Sequence, residues 1–306
     1  MTDRQMDARA ATIAVDPPWL DRALYPFAPH AFETADGRLR YVDVGVGAPI
    51  VFVHGTPTWS FLYRHLIADL SRDHRCIAPD QLGFGLSDKP TTADYRPQAH
   101  ARRLGALLDA LDLRDITLVV HDYGGPIGVG AALERPGLVG RLVVFNSWMW
   151  SFAQHPTAYR ASAVLGGRLG RLLYERLNFS ARAILPVAYG DRTKLTPAIH
   201  RHYLRPQETP QQRQALWVLA REIRQSEAFF DSLWARRAAI AALPCAIVWG
   251  LKDPALPPSY LARWRELFPA ASVVSFADAG HFVPEEQPQA SIAAIRQLLA
   301  TATGSA

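Results

Sequence analysis

The sequence predicts an α/β fold, a mostly parallel sheet with helices on both faces and an inserted all-helical cap. Short apolar runs of four to six residues alternate with amphipathic stretches of ten or more, the pattern of strands buried on both faces and joined by crossover helices. The alternation stops near residue 147 and resumes with Cys-Ala-Ile-Val-Trp-Gly at 245–250, and the segment between is helical in period. A chain of 306 residues with 49% hydrophobic and 20% charged side chains suffices for one large core with an insertion.

Taken in order, residues 1–25 form an irregular lead, and no apolar run follows the N-terminal charges, so no signal peptide is expected. From Arg38 the chain turns strand-like in RLRYVDVG and again in PIVFVHG. The helical stretch FLYRHLIADLS leads to the strand-like HRCIAPD, and a long amphipathic segment ends in ARRLGALLDALDL. DITLVVHD, the Gly-rich entry into a helix GGPIGVGAALERP, and RLVVFNS complete the first half. Residues 148–238 are helical and rich in Trp and Tyr, with no strand-like run. The run CAIVWG, the helix SYLARWRELF, the strand SVVSFAD and the helix ASIAAIRQLLA close the chain. The expected division is a core of residues 1–147 and 239–306 and a helical cap of residues 148–238.

Charge and cysteine usage exclude other classes. The net charge is +5, but residues 148–238 hold 14 Lys and Arg against 6 Asp and Glu, leaving the remainder at −3. That excess is dispersed along helical patterns rather than packed into a basic run, so it reads as a solvated face and not a nucleic-acid surface. A mild attraction for anionic small molecules remains. Two cysteines, Cys76 and Cys245, exclude a disulfide framework and a Cys-rich zinc site, and both lie in apolar runs as buried thiols. No stretch approaches the ~20 apolar residues that span a bilayer, so a cytoplasmic protein without nucleic-acid or membrane partners is expected.

The chemistry centres on Val119-Val120-His121-Asp122-Tyr123-Gly124-Gly125-Pro126, where a strand passes to a helix through two glycines. A sharp strand-to-helix turn projects one side chain above the sheet and needs small neighbours; here that side chain is Asp122. The competing structural reading is a helix N-cap. No G-x-S-x-G occurs, which disfavours a serine esterase. His54-Gly55-Thr56-Pro57 follows the run IVFV, Asp253 follows AIVW, and His281 follows VVSF 28 residues later. All lie at carboxyl ends of strands, where open α/β sheets bind their ligands. The run from Gly124 to Gly130 imitates a dinucleotide loop, but Pro126 and Asp122 suit the sharp turn better. No His, Asp or Glu cluster has metal spacing, and His100, His200 and His202 are read as solvent-facing.

With these motifs in place, the chain resembles the haloalkane dehalogenase group of α/β-hydrolases, which also holds epoxide hydrolases and long-chain β-lactone decarboxylases. The resemblance runs over roughly residues 24–299. It includes Leu24-Tyr25-Pro26-Phe27, His54 through Ser60, Asp80 through Pro90, the Asp122 turn, Trp249 through Asp253 and Ala279 through Pro288. Within that group it is most similar to the dehalogenases whose triad acid follows the penultimate strand. Asn146 and Ser147 stand where another subfamily carries its carboxylate.

The resemblance implies a catalytic triad of Asp122, Asp253 and His281, with the chain order nucleophile, acid, histidine. It implies an oxyanion hole from the Thr56 and Tyr123 N–H groups, no cofactor and no metal. The implied reaction is hydrolytic cleavage of carbon–halogen bonds in small apolar substrates, with water as co-substrate; the alternatives are an epoxide hydrolase or β-lactone decarboxylase. A non-catalytic binding protein on this scaffold is disfavoured because all three triad members are present. The chain departs from the family at the leaving group. Dehalogenases use a Trp after the nucleophile with an Asn in the His-Gly loop or a cap Trp, whereas this chain has Tyr123 and Thr56. Trp148 and Trp150 are the candidate substitutes against a packing role, and Trp59 and Tyr159 complete the substrate candidates. Tyr159, Tyr174, Tyr189 and Tyr203 are the cap tyrosines from which an epoxide-protonating pair would come.

Overall fold

A computed structural model describes residues 16–302; residues 1–15, which carry most of the segment read as lacking a signal peptide, lie outside the described residues. The strands are β1 (Pro29–Thr34), β2 (Gly37–Val44), β3 (Pro49–Val53), β4 (Arg75–Asp80), β5 (Ile116–Asp122), β6 (Val139–Ser147), β7 (Cys245–Gly250) and β8 (Ser272–Phe276). They form one sheet in the order β1-β2-β4-β3-β5-β6-β7-β8. From β4 to β8 all neighbours are parallel, while β1–β2 and β2–β4 are antiparallel.

Helices α1 (Arg64–Leu70), α2 (Pro97–Ala110) and α3 (Gly124–Leu133) precede β6. Between β6 and β7 lie α4 (Pro156–Leu165), α5 (Arg168–Leu177), α6 (Leu185–Ala188), α7 (Pro197–Leu204), α8 (Gln214–Gln225) and α9 (Glu227–Ala235), with no strand among residues 148–244. Helices α10 (Pro258–Leu267), α11 (Val283–Glu286) and α12 (Pro288–Ala302) complete the chain. No helix among the described residues is long and apolar enough to cross a membrane.

The period-2 direction of strand side chains divides the core in two. Val51 and Val53 of β3 join one cluster with α2, α3 and α10; Ile50 and Phe52 join the other with α1 and α12. Every residue of β5 is buried, as a central strand covered on both faces requires, whereas the edge strand β8 alternates partly buried and exposed positions. Cys76 and Cys245 are free and buried, as expected, and burial pushes the Cys76 thiol up to about 12.

Two expectations are corrected. The sequence shows no strand before Arg38, yet β1 forms an antiparallel edge from Pro29 opposite Val42 to Thr34 opposite Gly37. His100 and His202, read as solvent-facing, are fully buried. His202 stacks flat on Phe61 at 4.5 Å, and its Nε2 accepts the Asp21 N–H at 3.0 Å. His200 is partly buried and bonds the Ala181 carbonyl at 2.8 Å.

Candidate active site

Strands β3, β5, β6, β7 and β8 deliver their carboxyl ends to one place, because parallel neighbours all end on the same edge. At the end of β5, Asp122 has φ +52°, a left-handed conformation that a non-glycine residue adopts at a cost of roughly 1–3 kcal/mol when its surroundings impose it. The imposing contacts are visible: a Cβ on Gly124 would stand 1.9 Å from the Val53 carbonyl oxygen, so α3 reaches the sheet only with glycine there. Ser147 Oγ donates to the Asp122 carbonyl at 2.6 Å and fixes the turn from β6.

The N-cap reading of Asp122 fails, since no side-chain hydrogen bond caps α3. Its Oδ1 accepts the Thr56 N–H at 2.8 Å, and its Oδ2 lies 3.5 Å from His281 Nε2. Gly55 is packed against that same oxygen: a Cβ there would stand 2.1 Å from Asp122 Oδ1 and 2.5 Å from the Tyr123 nitrogen. Asp122 Oδ1 and the Tyr123 N–H therefore share one small space beside Thr56.

His281 Nδ1 donates to Asp253 Oδ2 at 2.6 Å, which leaves Nε2 toward Asp122. Burial opposes the imidazolium, but the Asp253 charge, followed by the contacts to Asp122, outweighs it and raises His281 to about 10. Burial likewise penalises the Asp253 carboxylate, but His281 and the hydrogen bonds it accepts leave its carboxyl below the ordinary value. Its Oδ1 accepts the Ala255 and Leu256 N–H groups at 2.7 and 3.1 Å, and its Oδ2 accepts the Asn146 amide at 2.8 Å.

Asn146 emerges as more than a vacated carboxylate position. Its amide also donates to the Gly250 carbonyl, and its oxygen accepts the Gly250 N–H at 2.8 Å, so it ties the ends of β6 and β7 together under Asp253. His121, which sequence reasoning passed over, donates from Nε2 to the His281 carbonyl at 2.9 Å; burial and then the His281 charge lower it to about 3, keeping it neutral. Its position in the His121-Asp122 pair was the available signal. Asp80, at the start of the Asp80–Pro90 motif, accepts the Ser60 and Leu86 N–H groups at 2.8 Å each and so ties together the loops after β3 and β4.

Thr56, Asp122 and Tyr123 open onto a cavity of about 510 Å³ whose walls are mostly apolar, with contributions from Trp148, Phe152, Leu165 and Ile223. Among the leaving-group candidates, Trp148 lines it, stacks edge-on against Tyr123 at 4.8 Å, and has an indole N–H without a hydrogen-bond partner. The other three are not among its lining residues. Trp150 packs among Trp234, Tyr260 and Trp264. Trp59 donates its indole N–H to the His202 carbonyl at 2.8 Å. Tyr159 packs against the core beneath the Arg224 guanidinium. Tyr123 does not offer its hydroxyl to the cavity, because that hydroxyl donates to the Leu219 carbonyl at 2.6 Å. Of the cap tyrosines only Tyr174 lines the cavity; the Tyr203 hydroxyl is bound to Glu285. No group of His, Cys, Asp and Glu suited to a metal occurs among the described residues.

Residues 48–288 match the alpha/beta hydrolase fold family. Haloalkane dehalogenase 2 of Mycobacterium tuberculosis is 35% identical, with 90% of this chain and 96% of that protein covered. The cis-3-alkyl-4-alkyloxetan-2-one decarboxylase of Shewanella oneidensis is 33% identical, covering 90% and 89%. Among solved structures, haloalkane dehalogenase DatA from Agrobacterium tumefaciens superposes with a TM-score of 0.81 at 27% identity, covering 92% of this chain and 99% of that one.

Proposed function

This chain belongs to the haloalkane dehalogenase-like alpha/beta hydrolases, and we propose that it cleaves carbon–halogen bonds through a covalent intermediate on Asp122. The observation that carries the reading is the Asp122 carboxylate itself: one oxygen held by the Thr56 N–H, the other 3.5 Å from an imidazole that Asp253 orients, at the floor of an apolar cavity. A carboxylate is a weak base but attacks an sp³ carbon in line. In the first step Asp122 Oδ2 bonds to the substrate carbon, the carbon–halogen bond breaks, and halide leaves with its electron pair. The Trp148 N–H is the donor proposed to receive the halide, in place of the indole and amide that Tyr123 and Thr56 replace.

Alkylation removes the Asp122 charge, and with it two of the influences that keep His281 protonated. The imidazole then gives up its proton and acts as base: water loses a proton to Nε2 and attacks Asp122 Cγ. The oxyanion develops on Oδ1, facing the Thr56 and Tyr123 N–H groups, where preorganised donors are most effective. Asp253 stays ionised and stabilises the imidazolium. Collapse releases alcohol and restores the carboxylate, so one water and one haloalkane yield alcohol, halide and a proton. Residues 148–238 serve as the cap over this cavity, on a core whose described parts are residues 16–147 and 239–302.

A second reading is supported by the relatives named for oxetanone decarboxylation and by the Tyr123 hydroxyl being tied to Leu219. A strained lactone needs no halide cradle, because Asp122 attacks the ring carbon and the leaving carboxylate stays attached. A panel of a 1-bromoalkane, an epoxide and a dialkyl β-lactone, run on wild type beside Asp122→Ala, separates these reactions. Bromide release that disappears in the variant is the expected result. Background bromide release with Asp122-dependent lactone consumption would replace the dehalogenase reading with the second.

A further inference from the structure

Helices α4 and α5 form a hairpin whose inner side chains, Ser162, Leu165 and Tyr174, line the cavity. Its outer side is unusual. Helix α5 buries Gly170 and Tyr174 and turns Leu169 and Leu172 outward, 58% and 54% exposed; Leu177 is 56% exposed, and Val164 at the end of α4 is 57% exposed. A single exposed leucine is ordinary, but several apolar side chains on one hairpin mark a contact surface.

Arginines surround these side chains. Arg160, Arg168, Arg171, Arg176 and Arg182 are all exposed, against one acidic residue, Glu175, in the same stretch. Arg171 pairs with Glu175 at 2.9 Å, and the other four have no carboxylate partner among the described residues. On the helix circumference Arg168, Leu172, Arg176 and Leu169 fall within about a third of a turn, opposite buried Tyr174. A helix with leucines ringed by guanidinium groups matches a layer of phosphate headgroups above acyl chains. Ala161 of α4 is both exposed and part of the cavity lining, so the cavity opens beside this face.

We propose that the α4–α5 hairpin docks on an anionic lipid surface, from which apolar substrate enters the cavity. This face departs from the sequence expectation of no membrane partner, and it stands whichever bond Asp122 breaks. The test is cosedimentation of the full chain with phosphatidylcholine vesicles with and without phosphatidylglycerol. Binding should require phosphatidylglycerol and be released by high salt. Arg168→Ala with Arg176→Ala should weaken it roughly 25-fold, at about fivefold for each cation near the surface. Leu169→Asp with Leu172→Asp should abolish it while leaving turnover of a water-soluble substrate and the melting temperature unchanged. Three results overturn the proposal: no excess sedimentation with phosphatidylglycerol, equal binding by the leucine variant, or a dimer in solution that the leucine variant splits. The last would assign the face to a second copy.

Discussion

Gly55→Ala perturbs the proposed nucleophile, Asp122, without changing any titratable group. The added methyl would stand 2.1 Å from Asp122 Oδ1, where ordinary contact begins near 3.4 Å, so the carboxylate must retreat by about 1.3 Å. That retreat is enough to stretch the 2.8 Å hydrogen bond from the Thr56 N–H beyond hydrogen-bond length. Removing one donor from an oxyanion hole typically lowers kcat by about 10²–10³, or ~2.7–4 kcal/mol of barrier. Overpacking should also cost about 1–3 kcal/mol of stability. Stopped-flow halide release on a bromoalkane, with circular dichroism to establish folding, reads both effects. The expected outcome is a folded variant whose turnover falls by two to three orders of magnitude with KM little changed. Turnover within about threefold of wild type would refute the assignment of Oδ1 to a donor-lined hole.

The remaining predictions concern the imidazole and the leaving group. His281 is held near 10 in the folded chain against an ordinary value of 6.5. Its protonation therefore stabilises the fold fully below 6.5, and that contribution disappears as pH rises through 10. The melting-temperature advantage of wild type over His281→Gln should accordingly shrink between pH 6.5 and 10; an advantage that grows over this range contradicts the shift. Trp148→Phe keeps the ring contacts with Tyr123 and Phe152 but deletes the N–H. A hydrogen bond to a charged group contributes ~1.5–3 kcal/mol, so kcat/KM for bromoalkanes should fall roughly 10–100-fold and product inhibition by bromide should weaken. Unchanged bromide inhibition would remove Trp148 from the leaving-group site.

The parts of the fold legible in the sequence are those set by local pattern. Strands β3, β5 and β7 are covered on both faces and appear as unbroken apolar runs; Asp122 ends β5 and Asp253 comes just after β7, whereas His281 follows the half-exposed edge strand β8. Strand β1 was illegible because PHAFET has no apolar run and is held by backbone pairing with β2. The burial of His100 and His202 depends on partners far away in sequence, such as Phe61 stacked on His202, which no local period reveals. The same holds for Asn146. Its identity was visible after β6, but its function follows from the approach of Gly250 and Asp253 more than a hundred residues later. Trp148 and Trp150 are two residues apart and equivalent in sequence terms; only the packing of Trp150 among Trp234, Tyr260 and Trp264 separates them. Arg168 and Arg176 read as part of a dispersed solvated face until α5 places them beside exposed Leu169 and Leu172.

Intact-mass spectrometry of His281→Gln after exposure to a bromoalkane probes the bond to Asp122 most directly. Alkylation needs only the carboxylate, whereas release of the ester needs the base. The variant should gain the mass of one alkyl group less one hydrogen, on a peptide containing Asp122, with one equivalent of bromide released and no further turnover. An unmodified protein, observed with a substrate that wild type turns over, would contradict a covalent route through Asp122.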